Sequence, residues 1–250
     1  MWIMSILWLI RYEVCPQFFT RSISGYDEMV RKEDLMRDSW VKILYNKKHI
    51  GYTHSTTEIS NTDPSRYYAI MSSSMIRVEI MKIIHKVTIN SSVFLDMAYN
   101  LNEFTFSLNS ALYSAQATGQ ARPNGIFHIR VKHGDKIISR DIKIPPNALV
   151  HNPFPTTRAR NMKPGDHLNT LVMNPFTLKN ENVTIKALKT ETITLDGTNY
   201  TATLLAMNHN NIETRNWIDS DGNILKQEMP FGLSFEKSSA ENSSIPSQAI

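Results

Sequence analysis

Residues 191–236, ETITLDGTNYTATLLAMNHNNIETRNWIDSDGNILKQEMPFGLSFE, decide the fold class. They read as four or five consecutive strands joined by tight turns. Asp196-Gly197 lies between two alternating runs and marks a hairpin, because glycine enters positive φ without a Cβ clash. Beyond it, Tyr200, Ala202, Leu204 and Ala206 fall on one face of a strand, and Thr201, Thr203 and Leu205 on the other. Asn208 to Asn211 form a second polar turn, and the next strand carries Trp217. Asp219-Ser220-Asp221-Gly222-Asn223 then turns the chain into Ile224-Leu225-Lys226-Gln227-Glu228. Pro230 and Gly232 punctuate before Leu233 and Phe235. The stretch is a β-meander.

The same grammar extends towards the N-terminus. Trp40 to Tyr45, the polar Asn46-Lys47-Lys48-His49 and IGYTHSTTEI read as a hairpin. A polar turn at 61–65 precedes a long run from Arg66. MIRVEIMKIIHKVTI fits period 2 at Ile76, Val78 and Ile80 and then slips, which predicts a β-bulge near Met81-Lys82. Alternation continues through VFLDMAY, EFTFSL and ALYSAQATG. Asn124-Gly125 and Gly134-Asp135 bracket IFHIRVKH, and KIISRDIK follows. Turn signals every 8–12 residues or so are those of sandwiches, barrels and wide curved sheets. The expected fold is mainly β: a large curved antiparallel sheet or unclosed barrel of about twelve to fifteen strands, with one or two short helices.

Three segments fall outside this pattern. Residues 1–38 form an apolar N-terminal segment and a linker, with a helix expected over about 27–38 after the cap residue Asp27. Residues 39–237 form the β domain, and 238–250 an expected disordered tail. Within the domain, 145–167 hold four prolines and little alternation. Pro145-Pro146 there predict a short helix through Asn147 to Val150, followed by a long loop that is either a functional lid or a surface crossover.

Composition is globular: 41% hydrophobic, 20% charged, in 250 residues, enough to bury a sizeable core. The net charge of +4 arises from 27 basic and 23 acidic residues. They are interspersed, which excludes a nucleic-acid stripe. The single Cys15 excludes an internal disulfide or a cysteine-rich metal site. MWIMSILWLI at 1–10 is about half of the ~20 residues a membrane span needs, and the first charge is Arg11. It reads as a shortened signal or anchor, an interfacial apolar anchor making membrane contact, or a buried helix.

No phosphate loop, nucleophile elbow or His-Glu-x-x-His is present. The eight histidines are scattered. His128 and His133 fall on opposite faces of one strand, which disfavours a shared metal. Asp219-x-Asp221-Gly222 imitates the start of a calcium loop, but Pro230 stands where the loop needs a glutamate, so it reads as a turn. No cofactor is expected. The aromatic residues Trp40, Phe104, Phe106, Phe127 and Trp217 are candidates to line a concave sheet face. Such a face needs a cover, which a helix, the 145–167 loop or an apolar ligand could supply.

Trp40, Asn46-Lys47 and Ile50-Gly51-Tyr52, with Lys163-Pro164-Gly165-Asp166, Asn174-Pro175-Phe176, Asp196-Gly197 and Trp217-Ile218-Asp219-x-Asp221-Gly222-x-Ile224-Leu225-Lys226, resemble a bacterial envelope β-domain. That domain precedes transglutaminase-like cores. More distantly the pattern is similar to lipoprotein carriers of the LolA/LolB type, unclosed barrels covered by helices. The resemblance covers roughly 39–237, implies a periplasmic or envelope location, and transfers no catalytic residue, since the Cys-His-Asp core would follow this region. Lys47-Lys48-His49 stand where the relatives favour glycine. The expected role is non-enzymatic: binding an apolar ligand, lipid or protein segment on the concave face. The rivals are an accessory domain that docks on a transglutaminase- or protease-like partner, and an enzyme using His151 and Asp166 of the long loop. A binder should show an aromatic-lined cavity, whereas an accessory domain should show a filled core and an exposed apolar patch.

Overall fold

The computed structural model describes residues 21–22, 26, 37–60, 63–145, 148–150, 162–174, 177–209 and 212–243. In chain order the strands are β1 (Arg21–Ser22), β2 (Arg37–Tyr45), β3 (Lys48–Ile59), β4 (Tyr68–Ile80), β5 (Ile83–Leu95), β6 (Leu101–Ser110), β7 (Ser114–Arg122) and β8 (Ile126–His133). They continue as β9 (Lys136–Lys143), β10 (Ala148–Val150), β11 (His167–Asn174), β12 (Lys179–Leu195), β13 (Thr198–His209), β14 (Ile212–Ile218), β15 (Ile224–Glu228) and β16 (Leu233–Ser238). All belong to one unclosed sheet, in the order β1-β11-β12-β13-β14-β15-β16-β2-β3-β4-β5-β6-β7-β8-β9, with β10 paired beside β11. The mainly β, largely antiparallel meander is as expected.

The order holds one connection that no local signal announces. β16 pairs antiparallel with β2, from Leu233 opposite Tyr45 to Ser238 opposite Trp40. The two meanders, β2–β9 and β11–β16, therefore meet at the middle of the sheet. Phe235 faces Ile43 across this seam, and both are buried. Asn46 N–H donates to the Gly232 carbonyl at 2.8 Å. From the tip of the β12–β13 hairpin, Asp196 accepts from Lys42 Nζ and, at 3.0 Å, from Ser238 Oγ.

Several local expectations are corrected. The slip at Met81-Lys82 is a two-residue hairpin turn, not a bulge: Ile80 pairs Ile83, and both turn residues have positive φ, 52° and 63°. The expected helix over 147–150 is the strand β10, which runs parallel to β11 with Leu149 opposite Val172. β1 is also parallel to β11. Arg37 and Asp38, at the end of the expected linker helix, are in β2; its residues 27–36 lie outside the described residues. The expected tail begins ordered: Ser238 completes β16, and Ala240–Ser243 form one helical turn with Ser243 buried. Its residues 244–250, like 1–10 and Cys15, lie outside the described residues.

The inner face of β4–β9 carries the largest core. Phe104 and Phe106 of β6 are fully buried against Phe127 and Ile129 of β8. Between them β7 offers only small side chains inward, Ala115, Ala117 and Gly119. A Cβ on Gly119 would stand 2.1 Å from the Phe104 ring, so the glycine is what lets the ring lie across the strand. Outward positions of the same strands are polar, as in Gln116, Thr118, Arg130 and Lys132, the reverse of the apolar belt of a membrane barrel. β9 has β8 on one flank and no described strand on the other.

The Asp196 carboxyl is held below the usual carboxylate range, first by the Lys42 hydrogen bond and then by Ser238. A depressed pKa gives stability that is present above the ordinary carboxylate pKa and lost as pH falls through the folded one. Asn also accepts the left-handed turn conformation, so Asp196→Asn removes the charge and one of the two acceptor oxygens without disturbing the turn. The variant should be about 1 kcal/mol less stable than the parent at pH 7, and the difference should shrink as pH falls below the ordinary carboxylate range. Urea melts at pH 7 and in acid check this; equal midpoints at pH 7 would show that the seam does not depend on this ion pair.

Candidate functional site

The five aromatic residues expected to share a concave site do not come together. Phe104, Phe106 and Phe127 are core, 0%, 1% and 5% exposed. Trp40 sits on the opposite face of the sheet, its ring stacked at 4.2 Å on His54 and 5.7 Å from Tyr52. Trp217 is in a separate cluster with Leu195, Leu204 and Leu225. Its Nε1–H donates to Glu191 Oε1 at 2.8 Å, and Lys226 Nζ lies 5.3 Å from its ring centre. Burial does not follow one face throughout: β13 buries both Leu204 and Leu205, on opposite faces, so the outer face carries a core of its own around Trp217.

The aromatic core does have a cover, and it comes from two of the irregular segments. Tyr26, Leu149 and Val150 are buried against Val93, Leu95 and the phenylalanines. Val150 N–H donates to the Tyr26 hydroxyl oxygen at 3.0 Å, and burial pushes the Tyr26 hydroxyl pKa up. At the margin of this core Tyr68 stacks on Tyr99 at 4.6 Å and donates to its hydroxyl, with burial, then this bond, moving the Tyr68 pKa up to about 12.

Catalytic geometry is weak where it can be described. His54 Nε2 lies 2.6 Å from Asp38 Oδ1, beside an open outer recess of about 300 Å³ lined by His54, Thr56, Met71, Ser73, Asn90 and Thr105. Ser73, across the strand pair from His54, donates its hydroxyl to Asn90 at 2.8 Å, so no hydroxyl is handed to the imidazole. His128 is 2.7 Å from Asp141, and the His133 ring lies 4.8 Å from Tyr113. No group of three or more His, Cys, Asp or Glu could hold a metal among the described residues. Asp166 accepts from Lys163 N–H within its own turn; His151, its expected partner, lies outside the described residues. Asp219 caps the amides of Asp221 and Asn223, which makes that motif a turn.

The two rims of the sheet differ in chemistry. At one rim the turns are built as turn chemistry prescribes. Asp63 accepts from Ser65 N–H, Asp96 from Ala98 and Asn100, and Asp219 from Asn223, while Asp196-Gly197 closes the long hairpin. At the other rim lie the turns between β2 and β3, β4 and β5, β6 and β7, β8 and β9, and β15 and β16. Here Met81 and Phe231 are each 92% exposed and Leu112 76%, accompanied by Ile83, Tyr113 and Ile137. Most of the exposed large apolar side chains among the described residues lie on this rim. Lys47, Lys48, Lys82, Lys86, Lys132 and Lys136 are interleaved with them, against Glu79, Asp135 and Glu228, the last paired with Lys226.

The tips are also conformationally expensive. Met81 and Phe231 sit at φ 52° and 66°, where Asn, Asp or Gly is favoured and a long side chain is not. A local rule broken at a solvent-exposed tip, with no packing gained, makes these tips candidate functional positions. We take this apolar and basic rim as the candidate site. Its residues lie far apart in the chain, and only strand pairing brings them into one line.

The fold is similar to the crystal structure of a β-barrel-like protein of the domain of unknown function DUF1849 from Brucella abortus. The TM-score is 0.50 at 10% identity, covering 80% of this chain and 94% of that one. A DUF1089 family protein from Pseudomonas aeruginosa aligns over 73% of this chain and 90% of its own, with 11% identity and a TM-score of 0.37. No family model matches the chain, and no curated protein does. The likeness to the Brucella abortus protein concerns the fold alone.

If Met81 is held in the left-handed region against its own preference, Met81→Asn should raise stability by about 0.5–1 kcal/mol. A urea melt checks this. A loss of stability would mean that the Met81 side chain has a structural role after all.

Proposed function

We propose that the protein is a non-enzymatic docking protein of the cell envelope, a β scaffold that works by presenting its apolar and basic rim to a partner surface. The observation that carries this reading is the pairing of a filled core with an exposed apolar rim. Phe104, Phe106, Leu95, Ile129 and Met173 are essentially inaccessible, while Met81, Leu112 and Phe231 are spent on solvent. Exposed apolar groups gathered on one edge mark an interaction site. The envelope location rests on the apolar decamer at 1–10 and on the resemblance to envelope β-domains, and the accessory role on the same resemblance.

The triple variant Met81→Asn/Leu112→Ser/Ile137→Ser alters only exposed positions and should fold as the parent does. Incubated with isolated bacterial envelope membranes, it should bind about tenfold more weakly than the parent, roughly the effect of losing 1.4 kcal/mol of contact. Both proteins carry the same N-terminal decamer, so the difference reports the rim. Equal binding would overturn the docking reading.

A second reading is favoured by the separate cover. The aromatic wall of the concave face is closed by Tyr26 and Leu149-Val150 and not by the sheet itself. A lipid or other apolar ligand could take the cover's place against Phe104, Phe106 and Phe127. Native mass spectrometry of the full chain purified without detergent tests it. A mass excess released on denaturation and identified as lipid is the expected result. A clean apo mass, unchanged by incubation with lipid extract, would rule out the concave-face ligand.

A further inference from the structure

We infer that the partner of the rim is the surface of an anionic lipid bilayer, into which the hairpin tips insert; the inference rests on the docking reading above. The arrangement of the tips is the first argument. The turns at Asn46-Lys47, Met81-Lys82, Ala111 to Tyr113 and Gly134-Asp135 belong to successive hairpins of β2–β9. Neighbouring hairpins repeat every two strands, so the tips stand about 10 Å apart along roughly 30 Å of sheet edge. Met81 and Leu112-Tyr113 stand in two of these turns, and exposed Tyr45 and Ile137 flank the other two. A protein partner is recognised through a compact cluster of anchors seated in pockets. Spaced single anchors along a curved edge suit a fluid surface that admits each tip independently.

Charge supplies the second argument. The lysines at these turns, Lys47, Lys48, Lys82, Lys86, Lys132 and Lys136, form no ion pair with a described residue and are exposed. Glu79 and Asp135 are the acidic residues among them. Lysines next to buried apolar tips reach back to the headgroup layer with their stems in contact with acyl chain, and each adds attraction to anionic lipid. The same excess of like charge opposes a second copy of this rim. The opposite rim, whose turns carry Asp63, Asp96, Asp196 and Asp219 among Arg66, Arg122 and Lys163, has no such excess of cations, so the molecule approaches with one end.

Conformation supplies the third. A methionine at φ 52° and a phenylalanine at φ 66° are held extended from tight turns, where neither side chain packs on the protein. The acyl layer gives them the burial that the fold withholds. No helix among the described residues is long and apolar enough to cross a membrane, and the tips need none: turn residues penetrate only to the boundary of headgroup and acyl chain.

The test is co-sedimentation of the purified full chain with protein-free vesicles, of phosphatidylcholine alone or with an equal part of phosphatidylglycerol. The parent should partition to the anionic vesicles about tenfold or more better than to neutral ones, and high salt should weaken that binding. Met81→Asn/Leu112→Ser/Ile137→Ser should lose about tenfold in partition with an unchanged or raised melting temperature. Lys82→Glu/Lys136→Glu should lose the preference for anionic vesicles. Binding that is unaffected by both variants, or equal on the two vesicle types, would overturn the lipid assignment. A rim variant that fails on envelope membranes, while the parent ignores protein-free vesicles, would keep the docking reading and replace the lipid by an envelope protein.

Discussion

The antiparallel pairing of β16 with β2 is the constraint on which the rest of the architecture depends. Each meander alone would be an open sheet with two bare flanks. Joined over 233–238 and 40–45, they share one inner face that runs from Leu205 through Phe235 and Ile43 to Phe106. The join is secured on both faces. Phe235 and Ile43 exclude water on one side, while Lys42 on the other meets Asp196 from the far end of a long hairpin. Residues at opposite ends of the chain thus form the middle of the sheet. The free flanks are pushed out to β9 and to the short strands beside β11.

Fold class was legible because it is written locally. Asp196-Gly197, Asn46-Lys47, Gly134-Asp135 and Asp219 to Asn223 all turn where their side chains or glycines permit positive φ or cap an amide. The strands between them alternate as a half-buried sheet must. What failed to show was non-local or broke a local preference. The β16–β2 pair leaves no mark, because a central and an edge strand with one polar face look alike in sequence. The turn at Met81-Lys82 reads as a bulge because neither residue belongs in a left-handed turn. Residues 148–150 read as helical because two prolines precede them, yet Leu149 and Val150 gain more from burial on the aromatic core.

The site was less legible than the fold, for a related reason. Large aromatics in a β pattern are first of all core, and Phe104, Phe106 and Phe127 are core. Trp40 and Trp217 share the face opposite the phenylalanines, linked through Lys226, Glu236 and Lys42, but the width of the sheet separates them, Trp40 on His54 and Trp217 among Leu195, Leu204 and Leu225. Some rim residues were in plain view as oddities, Met81 in a broken period and Phe231 between Pro230 and Gly232, whereas Leu112-Tyr113 read as part of the strand ALYSAQATG and lie in the turn before β7. Singly they meant little, since scattered exposed apolar residues are ordinary. Hairpin geometry, which stacks alternate turns on one edge, turns them into a line, and the scattered lysines with them.

An open sheet carries one further liability, and β9 shows how it is met. Among the described residues nothing pairs with its outer flank, and such a flank offers a row of backbone donors and acceptors that any extended chain could extend into a fibre. Lys136, Arg140, Asp141 and Lys143 charge the strand KIISRDIK, with the two lysines closing its ends. Antiparallel addition of a second β9 in full register would bring the first lysine of one copy against the last lysine of the other. Ile137 and Ile138, which would otherwise nucleate such stacking, are therefore gated by like charge, and the sheet can stay unclosed without becoming a polymerisation template.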